Sequence, residues 1–332
     1  MGRVRLHELA KRHGVSVSTA SRALSGKAGV SPELRRNLVE AAREVGYPLP
    51  GSLQGKAVLV AASRAAITDY DRNLFTAQVL AGMRERASAL GLELRTTTLR
   101  DGEPEALAAM LAEDSPAAIV LLTVDEPEIL ALVHATGLPA VLVNGDDPWM
   151  RLDSIAPCNR SAARLATDHL LACGHRELLF LQRPGRTTIQ RRMEGWRDAL
   201  NAAGLPSDEA RVLSVTDWIP ALAGEALGRH LDSDGVPFSA VLCAADSLAG
   251  GVMAALEARG LDVPDDVSVM GMDDLPMVEL WSPPLTTVHI PSRELGGIAL
   301  DTLRQQIDGR LGPPRRVELA CRLVLRGSVA LK

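Results

Sequence analysis

Residues 14–26 read GVSVSTASRALSG, a run of short polar and small apolar residues around one arginine, Arg22. At helical spacing Ala20, Ala23 and Leu24 fall on one face, and Val17, Ser18, Ser21, Arg22 and Ser25 fall on the other. A helix that serves only as a solvated surface more usually carries Glu and Lys paired at i,i+4. Here the inward residues are small enough for another helix to cross closely. The outward ones are short groups around one long side chain. That arrangement suits a helix entering the major groove, where short side chains meet the edges and an Arg can bond guanine bidentately.

The flanking residues extend this to a three-helix module. Leu6, Leu9, Ala10 and His13 share a helical face. Gly14 then permits a sharp turn because it has no Cβ to clash at positive φ. Val15 can plug that turn, and Ser16 can cap the next helix. Ser31 caps a third helix, Pro32 suits its first turn, and Leu34, Leu38, Ala41, Ala42 and Val45 form its core stripe. Charge follows the same division. Residues 1–50 hold nine Lys/Arg against four Asp/Glu, a balance of +5; with −5 overall, the rest of the chain carries −10. A small basic module on an acidic body is the asymmetry expected of a chain with one end on a polyanion.

From residue 57 onward, near-continuous apolar runs alternate with helical patterns: AVLVAAS (57–63), a helix over about 73–90, AAIVLLT (117–123), AVLVN (140–144), LLFLQ (178–182), SAVLCAAD (239–246) and VSVMGMDD (267–274). Such runs are expected of parallel strands buried on both faces. They extend over more chain than one core comfortably fills, which predicts two α/β subdomains within the 332 residues. Polar residues repeatedly follow the apolar strands: Ser63 and Arg64, Thr123, Asn144, Asp246, Asp273. In open parallel sheets, ligands sit beyond those strand ends. Between them lie RRMEGW (191–196), with Arg192, and TDW (216–218), with Trp218. Carboxylates, amides and an Arg fork over an indole face suit a polyhydroxylated ligand. Arg64 beside Arg192 would favour an acidic or phosphorylated one. Each residue also has a plainer reading: Asp246 as a helix cap, Trp218 as core, Arg191 as the solvated neighbour of a buried Arg192.

Catalytic and metal-binding signatures are missing. There is no HExxH, GxSxG or GxGxxG, and GSLQGKA (51–57) has the wrong spacing and the wrong following residue for a phosphate loop. The seven histidines are scattered. No enzyme activity, cofactor or metal is therefore expected. Four cysteines, Cys158, Cys173, Cys243 and Cys321, lie far apart and read as reduced thiols of a cytoplasmic protein. No apolar run approaches the roughly 20 residues that span a bilayer.

The stretch LHELAKRHGVSVSTASRALSGKAGVSPELRRNLVEAAREVGYPLP (6–50) resembles the headpiece of the LacI/GalR (lactose-repressor) family of bacterial transcription regulators, in its LA–GVS–T–SRAL–G–VS frame and closing GY. The resemblance continues over nearly the whole chain. It implies an all-α helix-turn-helix headpiece (1–47), a hinge or linker (48–56), and an effector-binding and dimerisation body (57–332) of periplasmic-binding-protein-like fold with two parallel-sheet subdomains. Three crossovers, expected near 156–157, 282–285 and 317–319, would divide the body into about 57–156 plus 285–317 and about 157–282 plus 319–332. It further implies that Val17, Ser18 and Arg22 read bases, that Ser16, Thr19 and Ser25 lie near phosphates, and that Arg192, Asp273, Asn144 and Trp218 bind the effector, with Ser63, Arg64 and Asp246 as further candidates. The expected function is a homodimeric repressor that binds an imperfect DNA palindrome and responds to a small carbohydrate-type effector, with no membrane partner. The alternative is a sugar-binding protein whose headpiece no longer works on DNA. One departure stands out. The family's hinge helix is replaced by PLPGSLQGK (48–56), which is shorter, lacks the Ala-Arg pair, and offers only Leu53 as a minor-groove wedge.

Overall fold

The computed structural model describes residues 6–24, 29–45, 55–64, 70–99, 104–233, 237–308 and 312–332. Ser25, Leu53 and most of the 48–56 linker lie outside the described residues.

The N-terminal module is three helices: α1 (Leu6–Arg12), α2 (Val17–Leu24) and α3 (Pro32–Glu44). Both expected caps are present. Ser16 Oγ accepts the Thr19 N–H at 3.0 Å, and Ser31 Oγ accepts the Leu34 N–H at 3.2 Å. Gly14 adopts a φ of +64°, and the Val15 N–H donates to the Ala10 carbonyl at 3.0 Å, which closes the turn. The core is small: Leu9, Ala10, Ala20, Ala23, Leu24, Leu38, Ala41 and Ala42.

The body contains two parallel sheets. The first runs β11-β5-β4-β3-β1-β2, from β1 (Ala57–Ser63), β2 (Glu93–Leu99), β3 (Ala118–Leu122), β4 (Ala140–Val143), β5 (Asp153–Pro157) and β11 (Arg316–Leu319). Helices α4 (Tyr70–Leu90), α5 (Pro104–Asp114) and α6 (Pro127–Ala135) connect its strands, and α11 (Ser292–Ile307) packs on α4, β4 and β5. The second sheet runs β7-β6-β8-β9, from β6 (Leu178–Gln182), β7 (Val212–Ser214), β8 (Ala240–Cys243) and β9 (Ser268–Met270). Its helices are α7 (Asn159–Ala172), α8 (Thr187–Ala202), α9 (Pro220–Leu231) and α10 (Asp246–Glu257). A short antiparallel ribbon pairs β10 (Thr287–His289) with β12 (Arg322–Val324). The strands β1, β3, β4, β5, β6, β8 and β9 are buried along their interiors, while the edge strands β2, β7 and β11 are partly exposed, and each sheet has core on both faces.

The chain crosses between subdomains three times. Ile155 belongs to the first core and Ala162 to the second, so the first crossing is at 157–159. The second is later than the expected 282–285. Bridges from Met270 to Thr286 and from Asp273 to His289 hold the intervening chain against the second sheet, Val288 packs in that core, and Ile290 packs in the first. Pro283 and Pro284 punctuate the chain without ending its pairing. The third crossing is at 320–321, where Cys321 packs against both cores.

Helices α7 and α8 lie unusually close. A Cβ at Gly195 would stand 2.0 Å from the Arg160 carbonyl oxygen, so only glycine fits. Gly195→Val should therefore lose about 1–3 kcal/mol or more of stability in urea denaturation, because α7 would have to move. Gly297→Ala is the contrast. That position in α11 has open space, and the substitution should gain about 0.4–1 kcal/mol by restricting the unfolded chain.

Candidate functional site

The order of each sheet reverses direction once: between β1 and β3 in the first, and between β6 and β8 in the second. Ligands bind beyond the carboxyl ends of strands at such points. The two reversal points face one cavity of about 460 Å³. Ser63 at the end of β1 and Thr123 after β3 line one wall; Arg183 after β6 and Ala244 after β8 line the other. Several lining residues hold backbones that side chains seldom adopt: Thr123 at φ +57°, Asn144 at +51° and Asp273 at +136°. Strain of this kind persists where surrounding structure enforces it and is concentrated at functional sites.

Five of the seven expected effector residues line this cavity: Ser63, Asn144, Arg192, Trp218 and Asp273. Arg192, only 4% exposed, is held by three partners. Its Nε donates to Asn159 Oδ1 at 2.8 Å, Nη1 donates to the Ala244 carbonyl, and both Nη atoms lie 3.5 Å from Asp273 Oδ1. Arg191 is more than a solvated neighbour. It donates to Asp146, which also accepts from Arg316, and so joins α8 to the first sheet.

Two expectations are corrected. Arg64 is exposed and is not on the cavity lining. The argument it offered for an acidic ligand goes with it. Asp246 is fully buried behind the wall. Its carboxylate accepts the Leu275 N–H at 2.9 Å and the Thr287 hydroxyl at 2.6 Å, so it shapes the loop bearing Asp273 instead of facing a ligand. It does not cap its own helix either, since α10 has no side-chain cap bond. Burial pushes the Asp246 carboxyl above the usual range, and the neighbouring Asp273 adds to the rise. Burial also raises Asp273, against the pull of Arg192.

The turn RPGRTT (183–188), which carries no motif in the sequence, is also part of the site. Arg186 reaches across the cleft, donating to the Asn144 carbonyl and pairing with Asp125 at 3.4 Å. Thr188, in the first turn of α8, is 3% exposed and its hydroxyl has no partner among the described residues. The same holds for Thr123 Oγ1, Asn144 Oδ1 and Asp125 Oδ2. Buried polar atoms are normally paired. Four unpaired ones on a single cavity mark a place for a ligand rich in hydrogen-bonding groups. The available signal was the Gly-containing turn directly after β6, at the reversal point.

On the headpiece, the side chains expected to meet DNA are accessible. Val17 is 47% exposed, Ser16, Ser18 and Arg22 are exposed, and Thr19 is half-buried with its hydroxyl 2.9 Å from that of Ser16. No helix among the described residues is long and apolar enough to cross a membrane. The four cysteines are free.

The profile of the lacI family of bacterial regulatory proteins matches residues 5–48, and that of a periplasmic binding protein-like domain matches residues 167–329. The chain is 32% identical to the HTH-type transcriptional regulator MalR of Streptomyces coelicolor, over 98% of this chain and 96% of the relative. It is 27% identical to the HTH-type transcriptional repressor PurR of Vibrio parahaemolyticus, over 98% of each. Among solved structures, a complex of the transcriptional regulator CelR with cellobiose superimposes with a TM-score of 0.73 at 28% identity, covering 98% of this chain and all of that one. A lac repressor dimer bound to operator and the anti-inducer ONPF gives 0.74 at 26% identity, covering 99% of this chain and all of that one. Each of these relatives is a transcriptional regulator or repressor.

The buried Asp246 makes stability depend on pH. Its native pKa lies above the unfolded value of about 3.9, so the native state holds the proton longer. Its contribution is present at low pH and is lost as pH rises through the native pKa. Asp246→Asn should flatten that decline in a series of urea melts between acid and neutral pH.

Proposed function

The chain belongs to the lacI family of bacterial regulatory proteins and is an HTH-type transcriptional regulator, and from that premise we propose that it is a cytoplasmic repressor whose grip on DNA is set by a small carbohydrate in the cleft of its body. Two headpieces of a homodimer bind half-sites of an imperfect palindrome, because a two-fold protein reads a two-fold site. Val17, Ser18 and Arg22 read base edges, with Arg22 suited to guanine. Ser16 and Thr19 sit at the phosphates. The effector bonds Ser63, Asn144, Arg192 and Asp273 and stacks on Trp218. One clasped geometry of the subdomains is favoured by the effector, and the response can be no larger than its differential affinity for the two geometries.

The observation that carries this reading is the cavity between two opposed strand-end reversal points, lined by buried polar atoms without partners, on a chain that also bears an accessible reading helix. The relatives that bind cellobiose and an operator support both halves.

Selection of bound DNA from a random pool at fixed salt, with and without a sugar panel, tests it. An imperfect palindrome should emerge, and a sugar should change its recovery. Binding that ignores sequence and merely weakens with salt would defeat the reading. Arg22→Ala should cost roughly 1–3 kcal/mol and relax preference at one base position of each half-site. Equal weakening on all sequences would place Arg22 on phosphate. Arg192→Lys keeps the charge but loses the fork, and should abolish the sugar response while operator affinity in gel-shift titration is retained.

A further inference from the structure

The two walls of the cavity are equipped alike. The first subdomain contributes an aromatic ring, Phe75, with two buried and unpaired polar atoms, Thr123 Oγ1 and Asn144 Oδ1. The second contributes Trp218 and the unpaired Thr188 Oγ1, beside the Arg192–Asp273 pair. Each ring is backed by the core of its own subdomain: Phe75 packs on the core of the first sheet, and Trp218 on both cores of the second. Each wall thus has a fixed apolar platform and its own hydrogen-bonding groups. A sugar ring asks for this combination once, since its apolar face stacks and its hydroxyls bond.

The volume and the charge narrow the occupant further. About 460 Å³ lies within the range of about 300–1,000 Å³ that encloses drug-sized ligands, which is more than a single pyranose fills. The charged lining residues are Arg183, Arg186 and Arg192 against Asp125, Glu126, Asp217 and Asp273. Arg192 is engaged by Asp273 and Arg186 by Asp125. No surplus of positive charge remains to favour an anion.

We infer that the effector is a neutral carbohydrate of two linked rings, one seated on the Phe75 wall and the other on the Trp218 wall. The inference rests on the carbohydrate reading of the cleft given above. With one ring on each wall, the glycosidic link crosses the seam and the ligand itself joins the two subdomains. A single ring can satisfy one wall only, and leaves the orphaned atoms of the other unpaired.

The test is calorimetric titration of the full chain with glucose and galactose, and with maltose, cellobiose and lactose. At least one disaccharide should bind about tenfold or more tightly than either monosaccharide. Phe75→Leu keeps an apolar side chain but removes the ring, and should weaken the disaccharide more than the monosaccharide. Trp218→Leu serves as the matching variant on the other wall, and thermal melts show that both variants are folded. Monosaccharides binding as tightly as disaccharides would overturn the two-ring inference and leave the carbohydrate reading standing. Equal loss of both ligands in Phe75→Leu would do the same, since it means one ring held between the two aromatics. Binding of none of the five sugars by the folded chain would overturn the inference and the carbohydrate reading together.

Discussion

A guanidinium buried as deeply as that of Arg192 has to be met by hydrogen bonds and countercharge, or the fold loses several kcal/mol. Meeting that need gathers much of the body around one point. Asn159 comes from the first residue of α7, just past the first crossing; the Ala244 carbonyl comes from the end of β8; Asp273 comes from the turn after β9. None of these could converge unless α8 lay almost against α7, and Gly195, three residues beyond Arg192, permits that approach. Asp273 is held in its left-handed backbone from behind, where Asp246 accepts the Leu275 N–H in the same turn. Next to it, Asp274 takes Arg326 at 2.7 Å and His289 at 2.9 Å, and His289 is where the chain makes its second crossing. The ligand wall and the second crossing are therefore built from the same few contacts.

Much of this was legible in the chain. The headpiece was readable because its signals are local: two serine caps, one turn glycine and three short stripes of small apolar residues. The strands were readable because parallel strands buried on both faces leave long apolar runs. Arg192 and Asp273 were reachable through the family resemblance, and Asn144 and Ser63 through their place at a strand end. The failures share a cause. Successive residues at a strand end point to opposite sides, so the run of letters alone does not say which of Ser63 and Arg64 faces the cleft. Whether a polar residue lies in front of the wall or behind it depends on a loop from another part of the chain, which hid Asp246. The second crossing was misplaced because two prolines look like an ending, while the pairing that continues past them involves β12, more than thirty residues away. Arg186 and Thr188 escaped because their role exists only once the opposite subdomain is in place.

The bonds across the seam have a consequence for how such a molecule measures concentration. Arg186 ties the second subdomain to Asp125 and to the Asn144 carbonyl, and Arg191 ties it to Asp146. A ligand that enters by parting these contacts binds only the fraction of molecules in which they are parted, and its apparent affinity is diluted by that fraction. The seam is in this sense a calibration setting. Arg191 and Asp146 are absent from the cavity lining, so if ligand entry parts their pairing, a change in its strength would move the dose–response curve along the concentration axis without touching a ligand contact. In the Arg191–Asp146 pair a tie across the seam is held by residues that do not line the cavity, whereas Arg186, Asp125 and Asn144 belong to both.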